Sequence, residues 1–463
     1  MSLMIILTSL ILLMFIAYRG FSVILFAPLC ALLAVLLTDP SLVPPMFSGV
    51  FMEKMVGFVK LYFPVFLLGA VFGKLIEISG FSKSIVSAVI NLVGRERSML
   101  AIVMVCAILT YGGVSLFVVV FAVYPFAAEM FKQSDIPKRL IPGTIALGAF
   151  TFTMDSLPGT PQIQNIIPTT FFKTDTWAAP WLGLIGSIFI LIAGLSYLGW
   201  RRRAAAKAGE GYGIGHSNEP EPYLAEKLPS AWLAVAPLVI VGVMNKVFTV
   251  VIPQFYGTTH TATVAGMAKP LVTDVSTIAA IWAVEAALLM GILTVIVFAF
   301  KPVKDKFAEG SKAAIAGSLL ASMNTATEYG FGAVIAALPG FAVIANALKA
   351  IPNPLINEAI TVTALAGITG SASGGMSIAL AAMSETFISA ANAANIPLDV
   401  FHRVAAMASG GMDTLPHNGA VITLLAVTGL THKISYKDIF AVTLIKTAAV
   451  FVVIAFYYLT GIY

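Results

Sequence analysis

Long apolar runs separated by short polar patches fill this chain, and one polar interruption, from Trp200 to Pro229, is long enough to divide it. A helical crossing needs about 20 apolar residues, so 463 residues allow roughly ten crossings with room for pieces that enter and turn back. The apolar start, Met1 to Ala17, has no basic residue before Arg19 and is expected to be a retained first helix. Arg201, Arg202, Arg203 and Lys207 mark the central interruption as a cytoplasmic linker. Orientation then propagates. Trp232 to Val251 runs outward, the polar stretch His260 to Asp274 lies outside, and Val275 to Phe300 returns to Lys301 to Lys306 inside. Arg95, Arg97, Lys132, Lys138 and Arg139 fall inside as well, and both termini are predicted outside.

The pattern occurs twice. Met154-Asp155-Ser156-Leu157-Pro158 returns as Met412-Asp413-Thr414-Leu415-Pro416, and Tyr111-Gly112-Gly113-Val114-Ser115 has a counterpart in Ser373-Gly374-Gly375-Met376-Ser377. Gly69-Ala70-Val71 pairs with Gly332-Ala333-Val334. Each pair is separated by about 260 residues, the mark of an internal repeat. An odd number of crossings per copy places the copies in opposite orientations, an arrangement found in secondary transporters. The expected architecture is an all-α polytopic membrane protein of two inverted-topology repeats, each with five crossings plus a re-entrant hairpin and a broken helix. The first repeat covers residues 1–200, with its hairpin at about 97–132 and broken helix at about 138–170. The linker is 201–230. The second repeat covers 231–463, with hairpin at about 356–394 and broken helix at about 397–430.

Composition agrees: 59% hydrophobic, 11% charged and a mean hydropathy of +0.95 exclude an ordinary soluble domain. The net charge of +5 is explained by loops between apolar runs, so no nucleic-acid partner is implied. Cys30 and Cys106 lie inside apolar stretches, where they read as buried thiols rather than as a disulfide or metal framework, and no cofactor is implied.

A charged residue near a bilayer centre costs roughly 2.5–3.5 kcal/mol, so a duplicated Asp-x-x-Pro marks chemistry or a deliberate helix break. A helix restarted after a break offers unpaired N–H groups and a positive dipole end to an anion. With no Arg or Lys expected near the midplane, charge recognition falls to dipoles, hydroxyls and amides. The candidate substrate-binding residues are Gly112, Gly113, Ser115, Thr160, Gly374, Gly375, Ser377, His417 and Asn418. Asp155 and Asp413 either cap their half-helices or bind a coupling ion. Glu328 has no acidic counterpart in the first repeat, where Leu67 or a neighbour aligns, and is the candidate proton carrier.

Gly112-Gly113-Val114-Ser115-Leu116-Phe117, Ile136-Pro137-Lys138-Arg139-Leu140-Ile141-Pro142, Leu157-Pro158-Gly159-Thr160-Pro161-Gln162-Ile163-Gln164-Asn165 and Asp413-Thr414-Leu415-Pro416-His417-Asn418-Gly419-Ala420-Val421 together resemble the gluconate permease family. That resemblance implies the ion transporter superfamily: a homodimer with a scaffold, a mobile unit of hairpins and broken helices, and elevator-type alternating access. Gluconate carriers proper have a histidine in the first break, which Pro158-Gly159-Thr160-Pro161 lacks, so the chain looks more like the branch for 3-hydroxybutyrate and similar short hydroxy acids. The expected function is proton-coupled symport of a small hydroxy-monocarboxylate across a bacterial inner membrane, one proton per anion, and not an enzyme. A sodium-coupled carrier of di- or tricarboxylates, a cation/proton antiporter, and an intramembrane hydrolase using Asp155 and Asp413 remain as alternatives.

Overall fold

A computed structural model describes residues 2–19, 21–94, 97–220, 228–416 and 418–463; Arg95, Glu221 and His417 lie outside the described residues. The protein is an all-α polytopic membrane protein, its helices in the same order on both sides of the linker. α1 (Ser2–Tyr18) and α2 (Val23–Thr38) lead through α3 (Val43–Met46) and a π-helical turn, Phe47–Met52, into α4 (Glu53–Ile78). Beyond the linker, α12 (Ala231–Tyr256) and α13 (Val275–Phe298) pack side by side and lead into α14 (Phe300–Ala337). The short antiparallel pair β1 (Thr259–Ala262) and β2 (Leu271–Asp274) joins α12 to α13. The helical stretch ending in α4 is 39 residues long and α14 is 38, and the two pack along one another. Next come α5 (Phe81–Val93) and α15 (Pro339–Lys349), short helices entered through Gly80-Phe81 and Gly340-Phe341.

Two helical hairpins follow. α6 (Ser98–Tyr111) and α7 (Leu116–Gln133) form one, α16 (Pro354–Thr369) and α17 (Ala372–Ala394) the other. At about 1.5 Å per residue, α6 reaches about 21 Å and α16 about 24 Å, short of a hydrocarbon core of about 30 Å. These two arms fall short of that thickness, whereas α17, at 23 residues, reaches about 35 Å. After each hairpin the chain enters a broken helix: α8 (Ile141–Ala149), the single turn α9 (Phe152–Asp155) and α10 (Ile163–Phe172) in one copy, and α18 (Leu398–Gly410), a 3-10 turn (Gly411–Thr414) and α19 (Gly419–Thr428) in the other. Pro158 and Pro161 have no N–H to continue the ladder, and Gly159 adopts φ 78°. Pro416 does the same in the second break. Each copy closes on a long helix, α11 (Pro180–Lys207) or α20 (His432–Thr460), and these pack together.

Among the described residues, five helical stretches are long and apolar enough to cross a membrane: Pro40–Ile78, Pro180–Lys207, Ala231–Tyr256, Val275–Phe298 and His432–Thr460. The remaining apolar segments are short because hairpins and breaks divide them. Cys30 and Cys106 are buried free thiols.

Residues 210–219 are fastened to the ends of the broken helices. Arg139 donates to Glu210 through Nε at 2.6 Å and Nη2 at 2.8 Å, and its Nη1 reaches Asp438 of α20 at 3.1 Å. Arg201 Nε reaches the same aspartate at 2.6 Å. Lys138 donates to the Ser217 carbonyl and to Glu219, each at 2.8 Å. Farther along, Tyr124 of α7 donates to the Asn218 carbonyl at 2.6 Å, and the Asn218 amide reaches the Ala426 carbonyl at the end of α19 at 2.9 Å.

Candidate functional site

Each broken helix grips the tip of its own hairpin. In the first copy, Tyr111 at the end of α6 donates its hydroxyl to the Pro158 carbonyl at 2.8 Å, and Gln162 donates to the Thr110 carbonyl at 2.7 Å. In the second, Asn418 donates to the Gly370 carbonyl at 2.9 Å, while Asp413 Oδ1 accepts the Ala372 N–H at 3.1 Å. Asp413 therefore satisfies the first backbone donor of α17, a different element from its own half-helix. Among the described residues, Asp413 accepts no backbone N–H from the turn that follows it. The two grips are joined: Gln164 of α10 donates to Asp413 Oδ2 at 2.7 Å.

The second hairpin turns at Gly370-Ser371, not at Ser373 to Ser377 as the glycine pair suggests. Gly370 takes the left-handed C-cap conformation at φ 68°, and Ser371 caps α17 by accepting the Gly374 N–H at 3.1 Å. Gly374 and Gly375 fall in the first turn of α17, where their job is close approach. A β-carbon on Gly374 would collide with Glu328 Oε2, and one on Gly375 with the Ala366 backbone of α16. Gly375 therefore joins the hairpin arms rather than facing a ligand.

Glu328 lies on α14 at 4% exposure against this tip, with the Ser371 hydroxyl beside it. No group donates to its Oε2. One turn earlier on α14, the Thr325 hydroxyl meets that of Ser373 at 3.3 Å. Glu328, Asp413, Gly374 and Asn418 are thus brought together around one turn of backbone.

Other candidates have structural partners. Thr160 donates to the Thr153 carbonyl at 2.7 Å and Ser377 to the Ser373 carbonyl at 2.7 Å, which repairs or reinforces local backbone. Gly112 is pressed against the Leu238 side chain of α12, and Gly113, at φ 95°, places its α-carbon where a β-carbon would lie 3.3 Å from Leu288 of α13 and from Pro161. The first tip consequently rests on the neighbouring long helices. Ser115 is half-buried at the start of α7 and makes no side-chain capping bond. His417 lies outside the described residues.

The expectation that no basic side chain reaches the breaks is overturned by two residues. Lys446 of α20, 1% exposed, pairs with Asp155 Oδ2 at 2.6 Å and donates to the Phe150 carbonyl at 2.9 Å. Ser156 donates to the other Asp155 oxygen at 2.7 Å. Arg403 of α18, 0% exposed, donates to the carbonyls of Asp155 at 2.8 Å and Ala178 at 2.7 Å, and to Asn165 Oδ1 at 2.9 Å. His402 Nε2 shares Asn165 Oδ1 at 3.2 Å, and its Nδ1 meets Thr174 at 2.7 Å. With Asn165 Oδ1 an acceptor, the proton belongs on Nε2 and the ring accepts from Thr174. A lone lysine within the apolar run Phe440 to Phe456 was the available signal for Lys446; for Arg403 it was a basic residue inside a segment matching the first broken helix.

Asp155 and Asp413 thus serve different partners, and neither carboxyl bonds to the other, which removes the geometry a shared-proton hydrolytic dyad requires. Among the described residues no group of three or more His, Cys, Asp or Glu could hold a metal ion. The cluster is tightly closed, with Asp155, Thr160, Arg403 and Thr414 at 0% exposure. Two larger cavities, of about 630 and 670 Å³, lie elsewhere, at the foot of the second hairpin and between the ends of α4 and α14.

Comparison with known proteins gives one relative over the full length. The chain is 62% identical over 471 aligned residues to the "Uncharacterized transporter YxjC" of Bacillus subtilis (strain 168), with 100% of each chain covered. No family model matches. Among solved structures, the Alcanivorax borkumensis YdaH transporter aligns with a TM-score of 0.49 and 14% identity, over 92% of this chain and 90% of that one.

Proposed function

This chain belongs to the transporter family of Bacillus subtilis YxjC, and from that premise we propose that it is a proton-coupled symporter of a small hydroxy-monocarboxylate, of the 3-hydroxybutyrate kind, working by alternating access. We assign the gluconate-permease-like architecture to it, with residues 1–200 and 231–463 as inverted repeats, residues 201–230 as a cytoplasmic linker, and both termini outside. The matched order of long helix, short helix, hairpin, broken helix and long helix supports the repeat. In an elevator reading, the hairpins and broken helices move against the long helices, and a second copy of the chain holds the scaffold in place.

One observation carries the functional reading: Asp413 ties the second break, the second hairpin tip and Gln164 of the first break into one buried cluster, with Glu328 facing the tip. A substrate at that junction is sensed by both halves at once. Its carboxylate would meet the N-terminus of α10, whose backbone amides receive no side-chain cap, near the cations Lys446 and Arg403. Hydroxyl recognition falls to Gln162, Ser371 and Asn418. Glu328 loads a proton with the anion, because an ionised carboxylate with a buried unpaired oxygen is costly until it is neutralised.

The test is uptake of labelled short hydroxy acids into proteoliposomes under an inward pH gradient without sodium. Accumulation is expected in wild type. Glu328→Gln should bind substrate, shown by a raised thermal-unfolding temperature, yet lose pH-driven accumulation. Undiminished pH-driven uptake by that variant removes Glu328 from the mechanism, and strict sodium dependence at constant pH replaces proton coupling with a sodium-coupled carrier. The Asp155–Lys446 pair favours a second reading, a cation/proton antiporter in which a metal cation displaces the ammonium. Counterflow of labelled hydroxy acid excludes it.

A further inference from the structure

Outside the cluster at the breaks, Asp438 is buried but paired with Arg139 and Arg201, whereas Glu358 of α16 is buried and unpaired. Glu358 is 0% exposed, and among the described residues no group donates to either of its oxygens. The second hairpin contains it near its foot, about 18 Å along α16 from the tip at Gly370, counting about 1.5 Å per residue. The charged and titratable groups on the elements packed against α16 are committed to other partners or at least partly exposed. From α18, Arg403 spends its donors on Asp155, Ala178 and Asn165, and His402 is held by Thr174 and Asn165. Asp399, on the same helix, is half-buried. Asp413, on the turn after α18, is held by Gln164 and Ala372, and Lys446 of α20 by Asp155 and Phe150. On α17, Glu385 is exposed. Tyr458 of α20 donates to Asn353 at 3.1 Å, and Tyr457 lines the cavity beside it.

That cavity supplies the second observation. With a volume of about 630 Å³, it opens at the foot of the hairpin between Asn353, Pro354, Ile396, Tyr457 and Tyr458. Glu358 is one helical turn, about 6 Å, from Pro354 on its rim. Glu358 itself is sealed behind the cavity wall and does not line it, and a buried carboxylate with no donor is neutralised rather than left ionised.

We infer that Glu358 is a proton-binding site loaded from this cavity and carried by the second hairpin, separate from Glu328. Resting on the symport reading above, this makes the cycle carry two protons per monoanion. When hairpin movement opens Glu358 to the cavity one turn away, a proton passes from water to a Glu358 oxygen, leaving hydroxide to bulk buffer, and it returns to water when the carboxyl is exposed on the other side. Transport then moves one net positive charge with each substrate, so a membrane potential drives uptake, against the electroneutral exchange that one proton per anion would give. At 100 mV that charge is worth about 2.3 kcal/mol.

The direct test does not need substrate. Infrared spectra of the full-length protein at neutral pH should contain a protonated-carboxyl carbonyl band that disappears in Glu358→Gln and in Glu358→Met. Both variants should keep the wild-type unfolding temperature, since they replace a group that is already neutral. An unchanged band, or failure of both variants to fold, overturns the proposal. The coupling test is potential-driven hydroxy-acid uptake at equal pH: present in wild type, lost in Glu358→Gln, with pH-driven uptake retained. Wild-type uptake indifferent to potential, or potential-driven uptake that survives in Glu358→Gln, overturns the second proton. If no carboxylate is transported under any gradient, the symport reading fails while the infrared result still decides whether Glu358 binds a proton.

Discussion

Removing Lys446 should cost the fold more than any surface charge in the chain, and the cost should be recoverable. Its ammonium is the ion partner of Asp155 at 2.6 Å, with side-chain exposures of 1% and 0%. Lys446→Met leaves the volume filled but strands a carboxylate and deprives the Phe150 carbonyl of its donor. Breaking a buried pair from one side costs about 3–5 kcal/mol, of which an unsatisfied carbonyl accounts for about 1–3 kcal/mol. Asp155→Asn in the same protein removes the stranded charge and keeps an acceptor for Ser156. The double variant should therefore regain about 2 kcal/mol relative to Lys446→Met alone, a coupling within the range seen for contacting residues. Equilibrium unfolding of purified protein in mixed micelles measures all four corners of the cycle. A Lys446→Met loss below about 1 kcal/mol, the range of exposed pairs, would refute the argument that this pair is sealed from water.

Two further outcomes follow from close contacts and from the linker. Gly375→Ala places a methyl group against the Ala366 backbone and should separate the arms of the second hairpin, seen as loss of transport together with increased protease cleavage between 366 and 375; normal transport would show that the arms tolerate displacement. Hydrogen bonding to Arg139 holds the Glu210 carboxyl below its usual value of 4.5. The sign is that of a depressed acid: the clamp contributes fully above pH 4.5 and is lost as the pH falls below it. Limited proteolysis of the linker should thus be constant from neutrality to mild acidity and accelerate below that point, whereas Glu210→Gln should be cleaved readily at every pH.

The breaks were legible because their signals are local. Asp-x-x-Pro within apolar sequence forces an interruption wherever it falls, whereas Arg201, Arg202, Arg203 and Lys207, read from sequence as the start of a linker, continue α11 to its end. The second hairpin itself was legible, but not its turn. Gly374-Gly375 imitates the Gly112-Gly113 turn, while Gly370-Ser371 is less conspicuous; only the contacts reveal that one glycine pair bends the chain and the other lets helices and a carboxylate press close. Lys446 and Arg403 were hidden for a different reason. Their partners, Asp155, Phe150, Ala178 and Asn165, come from the opposite half of the chain, and no spacing rule connects them.

The fastening of residues 210–219 has a mechanical consequence. This segment is tied to α7, to the start of α8 and to the end of α19, drawing on both halves, whereas Pro229 lies beside Gly80 at the entry to α5. Any shift of hairpins and broken helices relative to the long helices would carry residues 210–219 as a passenger and change the distance from Ser217 to Pro229. A fluorophore on Ser217 would report on the ends of the broken helices, and one on Pro229 on the entry to α5.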